Sequence, residues 1–221
     1  MPSNRAKRGA ANKRLELLAK LRPLVRAAVD GERMIRSVTS LLAVELGQYC
    51  IADVVDRRGT LRRLEIEHAD PSRRARLRIA CEDAVFEPQG RVARLVSSGG
   101  HELVPRVTDA ARARSFGDIQ LLDGEKTRSY MAATVHVNGA PAAVLSLVVA
   151  HGTRRYDDGD LAFLVSVADW LGLGIENANR REAQQPARTR TSMPPRFGGE
   201  EANTAVRRNP LHGRERERAS R

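Results

Sequence analysis

"RSYMAATVHVNGAPAAVLSLVVAH", Arg128 to His151, reads as two strands around a two-residue turn. Asn138 and Gly139 tolerate positive φ, which makes them strong hairpin formers. On the first strand Tyr130, Ala132, Thr134 and His136 recur with period two and therefore share a face. That partly polar face either lines a cleft or meets solvent.

Working outward, Arg154 to Gly159 is a polar connector, and a helix begins near Asp157 or Gly159. Its Leu161, Leu164, Val165, Ala168, Leu171, Gly172, Ile175 and Ala178 form one apolar stripe. Phe163, Val167 and Trp170 lie on a neighbouring face, which calls for a second partner: the N-terminal helix or another subunit. Gly172 and Gly174 each cost about 1 kcal/mol of helix propensity, which close backbone approach at Gly172 would offset. Asp157, Asp158 and Asp160 bunch at the helix start, where capping explains them better than metal binding. Pro186 ends the helix.

Upstream, an apolar pattern runs from Asn12 through Leu15, Leu18, Leu21, Leu24 and Val25, with Pro23 predicting a kink or restart. Asp30 caps a second helix, with Ile35, Val38, Leu42 and Leu46 on one face and Gly47 as its stop. "YCIADVVD" and "TLRRLEIEH" are strands of an antiparallel hairpin. In the second, Leu64 and Ile66 share one face and Arg63, Glu65 and Glu67 the other. Asp70 and Pro71 start a helix running to about Val85. A short helix falls within Pro88 to Gly100, "HELVPRV" is a short strand that Pro105 keeps from a central place, and Thr108 to Thr127 is loop or short helices. The order predicts an α+β fold: one mostly antiparallel sheet of five to six strands covered by helices, with the terminal helices packed together.

The chain has 221 residues, 41% apolar and only 4% aromatic, so its core is expected to be built mostly from Leu, Val, Ile and Ala. Cys50 and Cys81 match neither a disulfide framework nor a metal spacing, and Cys50 opens an apolar run as a buried thiol. No apolar stretch is expected to reach membrane-spanning length, and the basic first thirty residues lack the pattern of a secretory signal, so a cytoplasmic setting is expected. The net charge of +11 divides unevenly. Residues 1–30 hold eight basic and two acidic residues, residues 184–221 nine and four, and the stretch between them balances. The expected organisation is a disordered basic segment 1–12, a domain 13–185 and a disordered basic tail 186–221. Such ends attract polyanions, yet no nucleic-acid reader accompanies them.

Several local patterns together resemble a GAF domain, the small-molecule sensing module of many signalling proteins. They are "DGERMIRSVTSLLAVELG", "EHADP", "GRVARLVSSGGHELVPRVTD", the Arg128–Ser129 pair before the hairpin, "RRYDDGDLAFL", and Ile175–Glu176–Asn177–Ala178. The resemblance spans roughly Val25 to Ala183; Ala143, where many members carry glycine, and the irregular "LLDGEKT" depart from it. It implies a ligand cleft between the sheet and its crossing helices. Arg91, Tyr130, Thr134 and His136 are the candidate pocket residues. Arg91 stands near a helix start, where a cation opposes the dipole and calls for an acidic neighbour, a ligand or solvent.

No cyclic-nucleotide pattern, bilin-attachment cysteine, HExxH, phosphate loop, nucleophile elbow or kinase signature is found. The histidines His101, His136 and His151 form no metal motif. Free methionine sulfoxide reductases resemble this fold but use several cysteines. The expectation is therefore a non-enzymatic sensory or regulatory domain with no catalytic or metal residues and no specified cofactor. It binds a small ligand or a protein partner, as a homodimer through the terminal helices at Phe163, Val167 and Trp170, or with a separate output protein such as a histidine kinase. The alternatives are an interaction scaffold with a vestigial pocket, or nonspecific nucleic-acid binding through the tails.

Overall fold

The Asn138–Gly139 turn closes with both residues at positive φ, 51° and 76°. These left-handed conformations let a two-residue hairpin follow the twist of its strands. The computed structural model describes residues 4–27, 30–46, 49–56, 58–82, 86, 89–108 and 126–184. Within them β1 (Tyr49–Val55), β2 (Leu61–His68), β3 (His101–Val104), β4 (Ser129–Val137) and β5 (Ala140–Val149) form one sheet in the order β2-β1-β5-β4-β3. Each neighbouring pair is antiparallel. β3, followed at once by Pro105, lies at an edge, the position a nearby proline permits.

Strict alternation fails on β2. Leu64 packs into the cluster on one face of the sheet and Ile66 into the cluster on the other. The reason is a register slip: Ala52 faces Glu65, but Asp53 faces Arg63. The extra residue, Leu64, is a bulge that shifts the faces of everything before it. Arg63 consequently turns inward, where its Nε donates to Asp53 Oδ1 at 2.9 Å.

Helix starts follow their caps. In α2 (Gly31–Leu46) the Arg33 N–H donates to Asp30 Oδ1 at 2.8 Å. In α3 (Pro71–Glu82) the Ser72 N–H donates to Asp70 Oδ1 at 2.9 Å. α4 (Arg91–Ser98) ends at Gly99, φ 63°, whose N–H reaches the carbonyls of Leu95 and Val96. At the start of α5 (Asp158–Gln184) the Asp160 N–H donates to Asp157 Oδ1 at 2.9 Å, and the Asp157 N–H to Asp160 Oδ2 at 3.2 Å. This reciprocal box explains two of the three clustered aspartates.

α1 (Asn4–Ala27) departs from expectation at its start. Residues 4–12, expected to be irregular, are helical, as Ala6, Lys7, Arg8, Ala10 and Ala11 favour. Of the two outcomes expected at Pro23, the restart does not occur: the proline sits inside one helix. Arg14 of α1 bridges Asp157 at 3.2 Å and Asp160 at 2.8 Å, while Leu17 and Leu21 are buried. Gly47, most of the Thr108–Thr127 stretch and the tail 186–221 lie outside the described residues.

The sheet is covered on both faces. α1, α2 and α5 bury Leu42, Met131, Val135, Leu145, Leu164 and Leu171 on one side. α3 and α4 cover Tyr49, Ile51, Ile66, Tyr130, Val144 and Val148 on the other. Each fully buried side chain of this size contributes roughly 1.5–3 kcal/mol.

The expected stripe of α5 faces the sheet, and its glycines stand at close contacts, Gly172 with a strand backbone and Gly174 with side chains of α1 and α2. A methyl group on Gly172 would overlap the carbonyl oxygen of His136, and one on Gly174 would come within 2.5 Å of Val25 Cγ1 and 2.7 Å of Met34 Sδ. Glu176 accepts a bond from the Asn138 N–H at 2.6 Å, tying α5 to the hairpin turn. The second apolar face of α5 meets its own chain: Phe163 and Val167 are buried in one cluster with Leu17 and Leu21, and Arg22 lies 5.5 Å over the half-buried Trp170 ring. Phe163 and Val167 are thus not the surface residues that a subunit interface would use. A further correction concerns length and composition. α5 has 27 residues and a hydropathy of 1.3 over its most apolar window, enough to cross a membrane by those criteria alone. Here its apolar stripe is spent on the core.

Candidate functional site

Gly90 and Gly99 bracket α4, whose helical spacing sets Arg91, Arg94 and Ser98 along one edge. Between that edge and β3 lies an open groove of about 760 Å³, lined by residues that include Gln89, Arg91, Arg94, Ser97, His101 and Glu102. Arg91 is 6% exposed. It pairs with Glu102 on β3, and its guanidinium sits 5.4 Å over the Tyr130 ring. Of the three alternatives for a cation at a helix start, the structure supplies the acidic neighbour, Glu102.

The other three candidates share the face covered by α4 but do not line the groove. Tyr130 is buried, its hydroxyl 3.2 Å from Ser146 Oγ. The Thr134 hydroxyl donates to the Leu95 carbonyl at 3.2 Å, pinning the last turn of α4. His136 follows a register shift in the β4–β5 ladder, and its ring packs on Gly99. A methyl group on Gly99 would come within 2.9 Å of His136 Nε2. The space directly beneath α4 holds Val92, Leu95, Tyr130, Ala132 and Val144.

Sequence reasoning missed Arg94 and Glu102 as groove residues, although the i, i+3 spacing from Arg91 pointed to the first. It also missed the ion pair of Asp53 and Arg63, whose side chains are 0% and 1% exposed. An aspartate inside the apolar run "YCIADVVD" was its signal. Cys50 is buried in the cluster under α1, α2 and α5, on the sheet face away from α4, and burial pushes its thiol pKa up. Among the described residues no group of acidic, histidine and cysteine side chains is arranged to hold a metal ion.

No protein-family model and no curated protein sequence matches the chain. Solved structures do. The chain is similar to a free methionine-R-sulfoxide reductase from Neisseria meningitidis in complex with its substrate, at 16% identity and TM-score 0.58, covering 82% of this chain and 96% of that one. It is similar to the GAF domain of a phosphoenolpyruvate-protein phosphotransferase from Coxiella burnetii, at 15% identity and TM-score 0.58, covering 78% and 98%. It is also similar to the GAF domain of a putative sensor histidine kinase from Pseudomonas syringae pv. tomato, at 14% identity and TM-score 0.52, covering 82% and 99%. The chain has a GAF-like fold. The expectation of a non-enzyme is overturned as a flat statement, because an enzyme stands among these neighbours and the shared fold serves catalysts and GAF domains alike.

Proposed function

We propose that this chain is a sensory or regulatory domain in which a small molecule, bound in the groove between α4 and β3, changes how α5 packs on α1. The observation that carries this reading is the double clamp on His136. Its ring abuts Gly99 at the end of α4, and its carbonyl abuts Gly172 of α5 on the opposite face of the sheet. Close-packed interiors transmit such displacements rather than absorbing them. Two residues further along α5, Gly174 meets Val25 of α1. GAF domains of signalling proteins share the fold, which supports the same reading. The output surface in this reading is the groove of about 310 Å³ where Arg22 and Val25 meet Trp170 and the exposed Leu173. A second copy or a separate signalling protein in the cytoplasm would engage it there.

Native mass spectrometry of protein purified from its own host tests the first half, with a retained small molecule expected. Trp170, the single tryptophan, reports the second half. Its fluorescence should change when that molecule is removed, and His136→Ala should suppress the change while binding persists. Protein that carries no small molecule and responds to none in a host metabolite extract would instead be an interaction scaffold. Turnover of free methionine-R-sulfoxide with a thiol reductant would make the domain a catalyst.

A further inference from the structure

We infer that the α4–β3 groove selects a small anion: a metabolite-sized molecule whose carboxylate or phosphate is held by Arg94 and His101. The inference rests on the groove being a ligand site and adds the chemistry of what it accepts. Glu102 is the single acid among the described lining residues, and it is already paired with Arg91. Its negative charge is therefore spent, while the exposed Arg94 has no acidic partner among the described residues.

Hydrogen-bonding capacity points the same way. The Ser97 hydroxyl donates to the Ala93 carbonyl at 2.9 Å, and the Ser98 hydroxyl to the Leu95 carbonyl at 3.2 Å. Neither proton is left for a ligand. Arg94 gives one N–H to the Gln89 carbonyl, which anchors the side chain along the groove wall. Its remaining N–H groups and the His101 imidazole have no protein partner among the described residues. A guanidinium presents such donors in a planar fork that matches a carboxylate or phosphate. Arg91, fixed between Glu102 and the Tyr130 ring, forms the neutralised back wall and leaves Arg94 as the uncompensated charge of the groove. The volume of about 760 Å³ suits a whole metabolite rather than a bare ion.

The test follows backbone amide signals of the full chain by NMR during titration with inorganic phosphate, with citrate and with uncharged glucose. Saturable shifts are expected at residues 91–102 with phosphate, citrate or both. Phosphate alone would assign a phosphoryl head and citrate alone a carboxylate. Arg94→Glu, at an exposed position, should weaken binding about tenfold or more, as loss and reversal of a charged hydrogen bond implies. His101→Ala should weaken it less, and Arg58→Glu in the exposed β1–β2 turn, outside both grooves, should leave it unchanged. Shifts confined to the basic N-terminal residues, or an affinity that Arg94→Glu leaves intact, would overturn the inference. Glucose matching the anions at residues 91–102 would overturn the anionic character yet leave the groove a ligand site. A neutral molecule retained from the host, with no response to phosphate or citrate, would do the same and leave the sensory reading standing.

Discussion

On the side of the sheet covered by α1, α2 and α5, apolar side chains and two glycines make the contact. On the side covered by α3 and α4, two arginines are buried as well. Arg63 lies 5.5 Å from the Phe86 ring and pairs with Asp53; Arg91 lies 5.4 Å from the Tyr130 ring and pairs with Glu102. Each combines a carboxylate that neutralises its charge with a ring whose face attracts it. The first side is built mainly by exclusion of water and close approach, its Arg14–Asp160 pair lying at the start of α5. The second keeps charge inside at a cost that only its partners offset. A site for polar ligands belongs on the second side, because charge held there is already oriented and partly stripped of water.

Breaking the Asp53–Arg63 pair should have the largest effect. Asp53→Ala removes the carboxylate that accepts from the Nε of a guanidinium only 1% exposed. Loss of one partner of a buried pair costs about 3–5 kcal/mol, whereas replacing both by apolar residues is often close to neutral. Urea unfolding should therefore show a large loss for Asp53→Ala and recovery of most of it in Asp53→Leu combined with Arg63→Met. If the double variant is as unstable as the single one, charge is not what distinguishes the two faces.

The opposite face is probed by Gly172→Ala. Alanine gains about 1 kcal/mol of helix propensity over glycine. The added methyl group, however, overlaps the His136 carbonyl, which belongs to a strand held by neighbours on both sides. Overpacking of this kind costs about 1–3 kcal/mol, so the net change should be destabilising. A smaller denaturation midpoint with an unchanged slope is the expected result. A stabilised variant would mean that α5 does not approach the sheet closely enough for His136 to be clamped.

What was legible in the sequence divides along similar lines. Local chemistry is written in adjacent residues: Asn138–Gly139 marks the turn, Asp30 and Asp70–Pro71 mark helix starts, and the stripe from Leu164 to Ile175 marks the core face of α5. Relations between distant segments are not. Nothing within "TLRRLEIEH" signals a bulge at Leu64, because the slip is defined only by pairing with β1. The face at Phe163 and Val167 needed a partner, but an apolar stripe does not say whether its own chain or another covers it. Arg91 was readable as a cation that an acid, a ligand or solvent would satisfy, whereas Arg94 and His101 come to line one groove only when α4 is laid beside β3. The shared face of Tyr130, Thr134 and His136 followed from spacing; that α4 covers it did not.

The smallest expected effect reverses the sign of the Gly172 result within the same helical layer. Gly9 also lies inside a helix, but a methyl group built there meets nothing within 4 Å. Gly9→Ala should then gain helix propensity without any steric penalty, a stabilisation of at most about 1 kcal/mol. In a domain of this size that corresponds to a rise in Tm of roughly 2–4 °C if the first turns of α1 unfold together with the core. If they unfold separately, helical circular dichroism will rise while Tm stays fixed, because the gain is confined to the local unit. Opposite signs for Gly172→Ala and Gly9→Ala would show that backbone approach, rather than glycine's helix propensity, decides the packing of this face. Equal signs would remove the glycine contact from the account and leave the apolar side chains alone to explain how α5 is held.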